Sequence, residues 1–449
     1  KGMCSVVAGL GVGGVCWGEG VKKTNVVIIV ADDLGYADIG AQAVSKDVKT
    51  PNIDSIAKDG VRFTNGYVTC PVCSPSRAGF LTGRYQERFG HESNPLPKYA
   101  DIFGLPVDQV TIADEMKGAG YLTGIIGKWH EGTKEKFRPL HRGFDEFYGF
   151  LGGAHTYIRN GVGMNALMRG DEPVDEREYL TDAITREAVS FLDRHQDKPF
   201  FLYVPYNAVH TPQQAPEKYL ERFPEEKDHE RKYLLAMLSA EDDGVGKILG
   251  KLHDCKLDEN TLVVFFSDNG GPTQANGSRN APFRGFKGLT WEGGIRIPFM
   301  MRWAGHIPEG QVLDQPVITL DLFPTVLAAA GVAAPEKVKL DGVNLLPWVE
   351  GKKEEGPKRV LYWRFRPQWA IRDGDYKLMS PLEGGVHLYD LVKDPGESKD
   401  LMKEMPEVVK RLQGEYDAWN GELPEPLWQG RQEGAVHLKK TVNDLQGDE

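Results

Sequence analysis

Asp32 and Asp33 stand side by side just past one apolar run, and Asp268-Asn269-Gly270 stands just past another. Together they offer three carboxylates and an amide oxygen, hard donors that suit Ca2+ or Mg2+ better than zinc. Either group taken alone is also what a turn or a helix cap uses. Lys128 and His130 follow a third apolar run in Gly127-Lys128-Trp129-His130, and His210 follows a fourth. If the chain stays extended at 128–130, residues two apart face the same side. Lys287 sits in the glycine-punctuated stretch Arg284 to Pro298. Carboxylates gathered at one place repel an anion unless a cation sits among them. Lysines beside them supply anion contacts, and imidazoles move protons near neutral pH.

The densest stretch is Thr69 to Tyr85. It holds Cys70-Pro71-Val72-Cys73, then Ser74-Pro75-Ser76-Arg77 and Leu81-Thr82-Gly83-Arg84. A Cys-x-x-Cys is a redox pair or half of a zinc site, but the chain offers no second ligand pair at suitable spacing. A turn-rich Ser-Pro-Ser follows instead of a thioredoxin-like βαβ unit. Ser74 or Ser76 could cap a helix through Ala78 to Leu81, with Pro75 in its first turn. A helix start presents free N–H groups and a positive dipole end, which suits an anion.

Cys73-Ser74-Pro75-Ser76-Arg77 with Leu81-Thr82-Gly83 resembles the Cys-x-Pro-Ser-Arg-x-x-x-Leu-Thr-Gly signature of the type I, formylglycine-dependent sulfatases, in the alkaline phosphatase-like superfamily. Arg284 to Pro298 resembles the same family's Gly-x-Lys…Glu-Gly-Gly-x-Arg-x-Pro block, and His210-Thr211-Pro212 its His-x-Pro. The resemblance implies that Cys73 is oxidised to formylglycine (3-oxoalanine) by a formylglycine-generating or anaerobic sulfatase-maturating enzyme. It implies one divalent cation, calcium with magnesium as the alternative, held by Asp32, Asp33, Asp268, Asn269 and an oxygen of the modified Cys73. It gives Arg77 the hydrate to orient, Lys128 and Lys287 the sulfate oxygens, His130 the proton of the hydrate, and His210 the leaving oxygen. The expected substrate is a sulfate ester on a sulfated saccharide. A formylglycine-dependent phosphonate or phosphate ester hydrolase and a carbohydrate-binding pseudoenzyme are the alternatives. No second set of His/Asp ligands is present for a two-zinc site. Glu131 departs from the usual family wording, where an apolar residue follows the histidine. Glu292 and Arg296 are expected to shape the loop, paired with each other.

Four runs must position these groups. Asn25–Val30, Tyr121–Ile126, Pro199–Val204 and Thr261–Phe266 are continuous and β-rich, the pattern of parallel strands buried on both faces. Helical spacing runs over Thr181–His195 and Tyr233–Leu252 between them. The expectation is an α/β fold, a large and mostly parallel sheet flanked by helices, with ligands beyond the carboxyl ends of the strands. The catalytic domain is expected over 21–346. A charged linker at 351–358 precedes short strands near 360–364, 369–372, 376–378 and 387–390, with Gly374 in a hairpin turn. An amphipathic helix over Pro406–Trp419 completes a small C-terminal antiparallel sheet-and-helix subdomain over 359–428, and 429–449 is a polar tail.

The chain has 449 residues, 40% hydrophobic and 27% charged, as soluble globular proteins do. A net charge of -11 disfavours nucleic acid as a partner. Residues 1–20 read either as a signal-peptide remnant, which places the protein in the periplasm or outside the cell, or as a Gly-rich unstructured start. The apolar stretch Cys4 to Trp17 is too short to span a membrane, and no other run is transmembrane. Beyond it only Cys70, Cys73 and Cys255 remain, so no disulfide framework is expected. His155, Tyr157, Arg159, Asn207, Arg279, Arg284 and Arg364 are candidates for substrate specificity, and Trp363 and Trp369 for contact with a sugar or for core packing. The identity of the saccharide is not written in these residues.

Overall fold

The computed structural model describes residues 23–95, 103–158, 166–336 and 338–428. Residues 1–22, of which 1–20 read as a signal-peptide remnant or a Gly-rich start, the polar tail expected over 429–449 and Arg159 lie outside the described residues.

A ten-stranded sheet runs, edge to edge, through Gln311–Leu313, Val61–Phe63, Phe299–Arg302, Thr261–Ser267, Asn25–Ala31, Phe200–Pro205, Leu122–Lys128, Glu146–Phe150, Met168–Arg169 and Glu172–Pro173. The five central strands, from Thr261–Ser267 to Glu146–Phe150, are parallel. Their sequences show why. Every residue of Asn25–Ala31 is buried, with Val26, Ile28 and Val30 entering one core and Val27, Ile29 and Ala31 the other. Helices Leu180–His195 and His229–Asp254 belong to the second core, whereas Phe80 and Leu81 of helix Cys73–Thr82 belong to the first.

Register fixes the site. Ala31 pairs with Ser267 and Val30 with Pro205, so Asp32, Asp268 and Tyr206 emerge together beyond the carboxyl ends. This is where parallel sheets bind ligands.

A second, four-stranded antiparallel sheet holds Val360–Phe365, Gln368–Asp373, Tyr376–Ser380 and His387–Asp390 in sequence order. Gly374 takes the left-handed φ of 56° that its hairpin turn needs. Helix Pro406–Gly421 covers this sheet with Leu412, Tyr416 and Trp419. Lys377, fully buried in this sheet, bonds Glu292 at the start of the short helix Glu292–Ile295 at 3.0 Å and Glu397 at 2.8 Å. Glu292 also pairs with Arg296 at 3.3 Å.

No helix among the described residues is long and apolar enough to cross a membrane. Cys70, Cys73 and Cys255 form no disulfide among the described residues.

Candidate active site

Asp32 and Asp33 leave the central strand through a sharp change of direction. Asp33 adopts φ 65°, the left-handed region that costs a non-glycine residue energy. Its N–H donates to Asp268 Oδ1 at 3.2 Å, and Asn269 Nδ2 donates to Asp33 Oδ1 at 2.7 Å. Two strand ends 235 residues apart in sequence are thereby locked together.

Cys73 is the first residue of a ten-residue helix that is buried throughout. The expected serine cap is not there. Val72 is the N-cap and makes no side-chain cap bond; instead Asn94 Oδ1 accepts the N–H of Ser74 at 2.9 Å. Cys73 Sγ lies 3.6 Å from Asp32 Oδ1 and 3.3 Å from Lys287 Nζ. Arg77, one turn further along the same face, bonds Asp268 at 2.7 and 3.0 Å and the Tyr203 hydroxyl at 3.3 Å.

Lys128 ends its strand, and its ammonium meets Asp32 Oδ2 at 2.5 Å. The extended geometry expected over 128–130 does not continue, because His130 has φ 62°. The strand ends at Lys128, and the two-residue period of side-chain direction ends with it. The half-buried His130 ring lies instead against Gly153, where a Cβ would come within 2.6 Å of Nε2. His210 Nε2 is 3.5 Å from Asp33, and its Nδ1 faces the Thr211 carbonyl at 2.6 Å. Lys287 Nζ is 2.7 Å from Asp33.

Burial dominates the electrostatics. It raises Asp32, helped by Asp268 and opposed by Lys128 and Arg77. It would raise Asp33 too, but Lys287, His210 and Lys128 overcome it and hold that carboxyl far below the usual range. Burial likewise opposes ionisation of Asp268, and Arg77 and Lys128 outweigh it. Burial, then Asp268, pushes the Cys73 thiol well up. It lowers His210 to about 4, and it lowers His130 with Lys128 and Arg77 adding to the effect.

Ligand atoms of Asp32, Asp33, Cys73 and His210 all lie within 4.8 Å of one another. Asn269 Oδ1 is buried and has no hydrogen-bond partner among the described residues. Buried carboxylates beside an orphaned amide oxygen fit a hard divalent cation.

The matching of whole chains decides the family. Residues 24–332 match the family model Sulfatase, and residues 285–420 match the model N-sulphoglucosamine sulphohydrolase, C-terminal. The chain belongs to the sulfatase family. This sulfatase is 30% identical to the uncharacterized sulfatase YdeN of Escherichia coli (strain K12), over 94% of this chain and 90% of that one. It is 35% identical to N-acetylgalactosamine-6-sulfatase of Sus scrofa, over 82% and 73%. The crystal structure of Ps i-CgsB in complex with k-i-k-neocarrahexaose superposes with a TM-score of 0.87 at 37% identity, covering 94% of this chain and 98% of that one. The protein is therefore a sulfuric ester hydrolase with the sulfatase fold.

Several residues considered for specificity serve the scaffold. Arg364 is 3% exposed and ion-paired with Glu92, Arg284 lies over the Trp291 ring at 3.7 Å, and Arg279 pairs with Asp47 at 3.0 Å. The buried Tyr157 hydroxyl donates to the carbonyls of Asn207 and His210, and Asn207 Nδ2 donates to the His155 carbonyl at 2.8 Å. Trp363 is a core residue whose indole N–H donates to the Val68 carbonyl at 2.7 Å. Asn94 and Tyr203 went unnoticed in the sequence. Tyr203 carried a signal, a polar tip inside an apolar strand, and Asn94 carried none.

Proposed function

We propose that this sulfatase removes sulfate from a sulfated saccharide, using Cys73 in its formylglycine form and one calcium ion. The observation that carries the reading is the placement of Cys73. It stands at the start of a buried helix, between a carboxylate cluster and the ammonium of Lys287. A maturating enzyme, either formylglycine-generating or anaerobic, supplies the modification. Bound calcium, with magnesium as the alternative, contributes fixed positive charge to the sulfate oxygens, and Asp32, Asp33, Asp268 and Asn269 would hold it. The formylglycine hydrate contributes the nucleophilic hydroxyl.

The remaining work falls to the chain itself. Arg77, fixed on Asp268, orients the residue one helical turn before it. Lys128 and Lys287 receive the sulfate oxygens. Charge spreads over those oxygens as the ester breaks, and donors fixed in place beforehand stabilise that charge without reorganising. His210 donates a proton to the departing sugar oxygen, and His130 would take the proton of the hydrate's second hydroxyl, so that the C–O bond to the transferred sulfate breaks, sulfate leaves and the aldehyde is restored. The neocarrahexaose-bound relative makes carrageenan-type oligosaccharides the first substrates to try. Periplasmic or extracellular location follows the leader reading of residues 1–20.

The test is a paired assay on protein co-produced with a maturating enzyme. Release of sulfate from 4-nitrophenyl sulfate and from sulfated oligosaccharides is expected. A clear preference for 4-nitrophenyl phosphate or a phosphonate ester would overturn the reading.

A further inference from the structure

A groove of about 880 Å³ opens beside the hairpin of the C-terminal sheet, outside the cluster around Cys73. One wall is aromatic. Trp369 is half-buried and stacks on Tyr416 at 4.3 Å with the rings 19° apart. The other walls are polar, with planar amides and ion-paired guanidiniums. Flat aromatic surface beside such groups is the chemistry that receives a sugar ring, whose axial C–H faces pack on the rings while its hydroxyls meet amides and carboxylates.

The charges say which kind of sugar. Arg364 bonds Glu92 at 3.0 Å and Asn420 at 2.8 Å, and Arg366 bonds Glu425 at 2.5 and 3.2 Å. Both guanidiniums are neutralised, and Asp417 adds a further negative charge to the lining. A second sulfate group would meet carboxylates there, whereas an uncharged ring meets no such penalty.

Position ties the groove to the reaction. Gln368, at its inner end, donates to the Gly288 carbonyl at 2.8 Å and accepts from Thr290 N–H at 3.1 Å, in the loop that carries Lys287. Ser93, on the opposite wall, precedes Asn94, which receives the Ser74 N–H beside Cys73. Two walls of the groove are thus built from the segments that hold the nucleophile and its lysine.

The geometry points to a saccharide subsite: the groove takes an unsulfated ring of the same oligosaccharide whose sulfated ring sits at Cys73. This rests on the saccharide reading of the preceding subsection. Binding energy won at a remote ring is spent at the reacting one, so its loss appears in kcat/KM for long substrates only.

The test compares wild type with Trp369→Ala, Trp369→Phe and Gln413→Ala. Substrates are 4-nitrophenyl sulfate and a panel of sulfated di- and hexasaccharides from carrageenan, fucoidan and glycosaminoglycans. Trp369→Ala is expected to lower kcat/KM on the best hexasaccharide about tenfold and to leave 4-nitrophenyl sulfate unchanged. Trp369→Phe keeps a ring and restores most of the loss, and Gln413→Ala, at a half-buried position in the groove's lining, gives a smaller loss confined to the hexasaccharide. Equal losses on both substrates would show that Trp369 only supports the fold and would overturn the subsite. So would an undiminished rate on the hexasaccharide. A wild type that cleaves 4-nitrophenyl sulfate but no member of the panel would instead fail the saccharide reading, and the subsite with it.

Discussion

The ammonium of Lys287 lies 3.3 Å from the sulfur of Cys73. The same ammonium is 2.7 Å from Asp33, so one cation reaches both the nucleophile position and the carboxylate cluster. A lysine so placed is a donor fixed in advance for the oxygens of a sulfate at Cys73. Lys287→Ala is expected to lower kcat/KM on 4-nitrophenyl sulfate about 10²–10³-fold. Steady-state kinetics measure this, with circular dichroism to show the fold intact. A loss under threefold would remove Lys287 from the reaction.

Asn269 Oδ1 is buried without a partner, amid carboxylates that repel one another. A divalent cation relieves both problems, so it binds the folded state and raises its stability by mass action. Calcium is expected to raise Tm in a concentration-dependent way, and a chelator to lower both Tm and activity. Asn269→Leu should shift the calcium titration of Tm to higher concentration. A Tm indifferent to calcium in the native protein would contradict the assignment.

Lys377 anchors the C-terminal sheet to the helix Glu292–Ile295 through a buried network. Its neighbours Glu292 and Glu397 are both fully buried, and removal of the shared cation leaves two carboxylates facing each other. Lys377→Met is expected to destabilise the protein by about 3–5 kcal/mol, read as a lower midpoint in urea unfolding. An unchanged midpoint would show that the network is dispensable.

His91 gives a pH dependence of defined sign. Its ring is fully buried, bonds Ser74 Oγ at 2.7 Å, and burial pushes its pKa down to about 3. The unfolded state, titrating near 6.5, binds the proton first as pH falls. Stability is therefore complete above about pH 6.5 and declines below it, by about 1.4 kcal/mol per pH unit from this group. Urea unfolding between about pH 7 and about pH 5 measures it, and His91→Asn should flatten that part of the curve. A variant with the native slope would show that other groups set the acid limit.

What the sequence made legible was what local pattern controls. Asn25–Ala31 reads as a strand because each of its residues faces a core, and the structure buries all of them. The helix after Cys73 reads from its own residues. Its cap does not, because Asn94 arrives from 20 residues away. His130 turns left-handed just beyond a strand, where the period-two rule no longer holds. Arg364 and Arg284 look like free surface cations in a one-dimensional reading. Their partners, Glu92 and Trp291, are set by the fold, with Glu92 lying 272 residues from Arg364.

Everything turns on the chemical state of residue 73. Protein produced with varying amounts of maturating enzyme should be digested, and the peptide across Cys73 measured by mass spectrometry beside the specific activity on 4-nitrophenyl sulfate. Activity is expected in proportion to the fraction carrying the aldehyde, with none left when the peptide is wholly the alkylatable thiol. Full activity from protein whose Cys73 is unmodified would contradict the formylglycine reading.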